Sequence, residues 1–66
     1  MPVTADRIEK LEQLLHRSNL PVQKKKNLDR NVNRIVWVKD NFDIRNADHP
    51  KRDEIMALIE EILTPD

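Results

Sequence analysis

The stretch Pro21-Val22-Gln23-Lys24-Lys25-Lys26-Asn27-Leu28-Asp29-Arg30-Asn31-Val32-Asn33-Arg34-Ile35-Val36-Trp37-Val38-Lys39-Asp40-Asn41-Phe42 decides the fold, because it carries two conflicting signals. Its Ile35-Val36-Trp37-Val38 run is β-branched and aromatic, which favours a strand locally. A lone short strand would have no partner, since no other segment carries a strand pattern. Counting about 100° per residue from Leu28, the positions Val32, Ile35, Val36, Val38 and Phe42 all fall within about 80° of it. That broad apolar face predicts a helix over 21–42, with a break near 31–33 left open. Pro21 suits the first turn of such a helix, where its fixed φ is helical and its missing N–H has no partner to lose.

On the N-terminal side, Ile8, Leu11, Leu14 and Leu15 recur at steps of three and four and form one apolar stripe. Thr4 is the candidate N-cap, and Val3 with Ile8 has the spacing of a hydrophobic staple. The stripe predicts a helix over 4–17, stopped by Ser18-Asn19-Leu20-Pro21. On the C-terminal side, Asp43-Ile44-Arg45-Asn46-Ala47-Asp48 reads as a turn, with Asp43 or Asn46 taking a left-handed conformation and Ile44 plugging one end of the fold. Asp48 is the expected cap and Pro50 the first-turn residue of a last helix over 49–63. Its apolar face is Ile55, Leu58, Ile59 and Ile62.

Three helices joined by short turns predict an all-α fold, a small three-helix bundle comprising one domain over 1–66. Its expected core is Ile8, Leu11, Leu15, Leu28, Val32, Ile35, Ile55, Leu58, Ile59 and Ile62. A chain of 66 residues with no Cys has only a small core and no disulfide to reinforce it. The charged start MPVTADRIEK does not resemble a signal peptide, and no apolar run is long enough to cross a bilayer. A cytoplasmic protein with no membrane partner is the default expectation.

Net charge is zero but unevenly spread. The first segment, to Asn19, is balanced; Leu20 to Phe42 has an excess of cations, and Asp43 to Asp66 an excess of carboxylates. Such asymmetry can mark a basic face for an acidic partner, but attraction between the two segments within one fold accounts for it more simply.

The inventory for catalysis is thin. Glycine is absent, which excludes a Gly-rich phosphate loop. His16 and Ser18 are two residues apart and do not face each other on a helix. Glu60 and Glu61 are adjacent and diverge by about 100°, which prevents paired acid–base work. Two isolated histidines do not supply a zinc site, and no calcium-loop spacing occurs. The sequence therefore predicts a protein that is not an enzyme, with no cofactor, no metal and no small-molecule substrate.

The outer side of the 21–42 segment is more informative. Opposite Leu28, the residues Lys26, Arg30, Asn33, Trp37 and Asn41 align within about 40° of one direction, flanked by Gln23 and Arg34. Three readings compete for this face. Trp37 could be packed, if the helix bends. Trp and Arg could form a protein interface, in which both residue types are enriched. Cations, amides and a stacking ring could instead meet nucleic acid, although a neutral chain is unlike most dedicated nucleic-acid binders. A helix-turn-helix reading is weakened by a turn without Gly and an overlong second helix. The expected function is a helical protein-interaction module, binding another protein or a second copy of itself. Its candidate binding residues are Lys26, Arg30, Asn33, Arg34, Trp37 and Asn41. The alternative is a small nucleic-acid-binding regulator using the same basic face.

Overall fold

A computed structural model describes residues 5–28 and 31–64. These residues form four α-helices and no strand: α1 (Ala5–Leu14), α2 (Val22–Lys26), α3 (Val32–Arg45) and α4 (Arg52–Leu63). The all-α expectation is met. The proposed cap Thr4 and the staple residue Val3 lie outside the described residues.

The N-terminal stripe folds as expected and continues into a 3-10 turn, Leu15–Arg17. Ser18 closes that turn: its N–H and its hydroxyl both donate to the Leu15 carbonyl, at 2.9 and 2.6 Å. Ser18 is buried with extended backbone, which turns the chain out of the helical path ahead of Leu20 and Pro21. A second brace comes from Lys25, whose ammonium donates to the Ser18 carbonyl at 2.7 Å.

The helix expected over 21–42 is two helices, and the break left open near 31–33 is where the second of them begins. α2 ends at Asn27, whose N–H reaches the Gln23 carbonyl, and α3 starts afresh after Asn31. Asn31 is a side-chain N-cap, its Oδ1 accepting from the Asn33 N–H at 3.0 Å. The reason is partly one of length. An unbroken helix from 21 to 42 would run about 33 Å, whereas α1 has 10 residues and α4 has 12. One end would overhang the shorter α1 and α4. Breaking the helix lets Leu28 enter the core with no exposed surface while its N–H donates to the Glu12 carboxylate at 3.3 Å.

The break also resets the helical phase, and two expectations fail with it. Val32 was placed in the core on Leu28's face, but it begins a new helix and is 59% exposed. The inward stripe of α3 is Ile35, Val38 and Phe42, all fully or almost fully buried. The helix then runs on through Asp43, Ile44 and Arg45, so those residues are not a turn. Ile44 plugs nothing: it lies about 180° around the helix from Ile35 and is 81% exposed.

At the α3–α4 corner, Asn46 ends α3 with its N–H on the Phe42 carbonyl at 2.8 Å. Its φ is −132°, and no described residue has a positive φ, so the corner turns without a left-handed residue. The expected cap Asp48 is not the N-cap of α4, which is Lys51 and makes no side-chain cap bond; His49 braces the turn before it. Its Nδ1 accepts from the Lys51 N–H at 3.0 Å, and its carbonyl accepts from Arg52 N–H at the start of α4. α4 thus starts at Arg52 rather than 49, and Pro50 sits in the turn before it.

α4 packs against both α1 and α3. Of the expected core only Val32 is not buried, and Leu20, Val38 and Phe42 join it. Charge pairs join α4 to its neighbours: Lys39 meets Glu60 at 2.5 Å and Arg7 meets Glu61 at 3.7 Å. The Glu60 hydrogen bond, and then its charge, raise the Lys39 pKa above the ordinary lysine value. Among the described residues no helix is long and apolar enough to cross a membrane.

Candidate functional site

The break in the expected second helix divides the candidate face. Lys26 sits on α2; Asn33, Arg34, Trp37 and Asn41 sit on α3; Arg30 lies outside the described residues. Asn33, Trp37 and Asn41 keep their alignment because they are four residues apart on one helix. Lys26 instead borders an open hollow between α1 and the interhelix link, alongside Glu9, Glu12 and Arg34.

Trp37 is half-buried. It packs against the edge of the core, and the Lys24 ammonium sits over its ring, 5.0 Å from the centroid. Cation and ring attract each other through the ring quadrupole. Part of the ring is thus occupied from within the chain. Two other polar groups are also engaged. Arg34 donates to the Asn27 carbonyl at 2.8 Å, holding the end of α2 to α3, and Asn41 donates to the Trp37 carbonyl at 2.8 Å. Asn33 is exposed, with its N–H on the Asn31 cap.

The outward side of α3 carries something the sequence reading missed. Val32, Val36, Asp40 and Ile44 follow one another at four-residue steps, a stripe slanting across the side away from the core. Its apolar members are 59%, 39% and 81% exposed, and all three lie on this one helix. The signal was present as a repeat of four beginning at Val32. It was hidden by assigning Val32 and Val36 to a face continuous with Leu28.

For chemistry the described residues offer little convergence. No group of three or more His, Cys, Asp or Glu is placed to hold a metal ion among them. The Ser18 hydroxyl is bound to the Leu15 carbonyl, and His16 is exposed. Arg52 is engaged by Asp43, which accepts from its Nε at 2.8 Å and raises its pKa further.

The fold and face define an all-α protein with an apolar, partly polar helix surface. Compared with known proteins, the chain matches no family model, no curated protein and no solved structure.

Proposed function

We propose that the protein is a non-enzymatic interaction module, in which α1, α3 and α4 act as a three-helix frame that presents the outer side of α3 to another protein. The observation that carries this reading is the exposure of Val32, Val36 and Ile44 on one helix. Full burial of one such side chain contributes about 1.5–3 kcal/mol, so a partner covering the stripe gains substantially. Trp37 and Asn33 flank the stripe, and the Trp37 edge left open by Lys24 extends it. The partner is an amphipathic helix laid along α3, with a Lys or Arg facing Asp40 among its apolar residues.

Asp40 also argues against a second copy as the occupant. Val36 and Ile44 stand four residues either side of it. A two-fold axis matching Val36 to Ile44 of another copy would set Asp40 against Asp40, and like charges so placed repel. Nucleic acid is less favoured because Lys24, Arg34 and Asn41 are already engaged within the chain.

The test compares the wild-type protein with Val36→Asp and Ile44→Asp as bait in extracts of the native host, with and without nuclease. The expected result is a protein retained by wild type, resistant to nuclease, mildly sensitive to salt and lost from both variants, with cross-links to α3. Retention that both variants preserve overturns the proposed face. Retention abolished by nuclease, falling with salt at a log–log slope of about −0.9 per phosphate neutralised, overturns the protein reading in favour of nucleic acid. Concentration-dependent dimerisation in sedimentation, lost in the variants, replaces the separate partner with a second copy.

A further inference from the structure

The 3-10 turn after α1 and the α3–α4 corner meet across a cleft of about 480 Å³, within the usual range for ligand pockets of about 300–1,000 Å³. Leu14 and Pro50 supply its apolar surface. His16, Arg17, His49 and Lys51 surround it, and no carboxylate lines it. In a chain whose charges balance, Arg17 and Lys51 without a carboxylate are a local surplus of cations.

Arg17 and Lys51 make no ion pair among the described residues, in contrast to Arg7, Lys39 and Arg52, which meet carboxylates. Their charge is therefore available. His49 is held in place: its ring lies 5.5 Å from that of the buried Phe42, and its Nδ1 accepts from the Lys51 N–H. With Nδ1 engaged as an acceptor, Nε2 is the ring nitrogen left able to donate a hydrogen bond. The two walls are also tied to each other. The Asn19 N–H donates at 2.6 Å to Oδ1 of Asn46, a buried residue of the corner, so the cleft is shaped before any ligand arrives.

We infer that this cleft binds a small organic anion, one carboxylate or phosphate group on a compact apolar body. Arg17 and Lys51 bind the anionic group, His49 donates to it, and Leu14 and Pro50 pack against the body. The site is separate from the outer side of α3, and the inference does not rest on the proposed interaction function.

The test is a titration of the full chain followed by amide NMR, with phenyl phosphate as the probe and inorganic phosphate and phenol as controls. Phenyl phosphate is expected to shift the amides of Leu14, Arg17, His49 and Lys51 saturably and to leave those of Val36 and Ile44 in place. It should bind at least about tenfold more tightly than either control, a difference of about 1.4 kcal/mol. The Arg17→Gln, Lys51→Gln double variant should lose at least about tenfold in affinity while keeping its circular dichroism spectrum. Absence of a saturable shift, equal binding of inorganic phosphate, or unchanged binding by the folded double variant each overturns the inference.

Discussion

α4 and α2 illustrate opposite ways for a short chain to form a helix. α4 spans Arg52–Leu63 and buries Ile55, Leu58, Ile59 and Ile62. Its apolar period is written into the sequence, and packing against α1 and α3 sustains it. α2 spans only Val22–Lys26 and buries no residue. A single turn and a half of helix is not stable alone. What holds α2 is a set of polar attachments: Lys25 on the Ser18 carbonyl, Lys24 over Trp37, and Arg34 on the Asn27 carbonyl. One helix is secured by burial, the other by polar and cation–π attachments to its neighbours. Only the first kind of support leaves a periodic trace in a sequence.

The largest effect should come from α4. Ile59→Ala removes a fully buried side chain and is expected to cost about 2–5 kcal/mol, read as a drop in the urea midpoint. A Lys26→Ala control on α2 should stay within about 0.5 kcal/mol of wild type. Equal midpoints for the two variants would abolish the distinction between the helices.

Asn31→Ala tests the junction. It removes the side-chain acceptor for the Asn33 N–H and should cost about 1 kcal/mol. Circular dichroism should show little change, because α3 keeps its buried stripe. A gain in stability would mean that the continuous helix over 21–42 is the better fold, and that the break is not set by this cap.

A smaller effect is expected from Lys24→Gln, which removes the cation over Trp37 and should cost about 0.5–1 kcal/mol. Trp37 is the sole tryptophan, so its emission reports the change directly. A red shift and easier quenching are expected as α2 loosens. An unaltered spectrum would show that Lys24 does not shield the ring.

Val36→Asp and Ile44→Asp should change stability least, within about 0.5 kcal/mol, since both side chains are already exposed. Thermal melts close to that of wild type would confirm that these residues are not needed for folding. A melting temperature lowered by as much as in Ile59→Ala would place them in the core and remove the apolar stripe from the surface.

The same contrast explains what could be read in advance. The stripes Ile8/Leu11/Leu15 and Ile55/Leu58/Ile59/Ile62 are legible because each runs along one helix, the first into the 3-10 turn that continues it, and points to one core. The core side of α3 was only half legible. The pattern puts Ile35 in the core correctly but also Val32, which is exposed, and the expected core lacks Val38 and Phe42, both buried and both on the apolar face the pattern gives. On the candidate face, Asn33, Trp37 and Asn41 stay aligned because they share α3, and Lys26 is separated from them by the break. The half-burial of Trp37 depends on Lys24, thirteen positions earlier, and on the bend that brings α2 back over α3. No local pattern encodes that approach.

By itself, then, the sequence determined the helical class and most of the residues that are buried, because apolar period is a local property of the chain. The tertiary structure decided the rest. An unbroken second helix would overhang α1 and α4, and Asn31 supplies a cap at which to restart it. That restart turned Val32 and Val36 outward, and the extension of α3 to Arg45 did the same for Ile44. The cleft at the corner is likewise a product of folding. Arg17 and Lys51 are far apart in the chain, and the walls that carry them are joined by the bond from Asn19 to Asn46. Helical phase is set by where a helix begins, and where it begins depended here on how much length the other helices could cover.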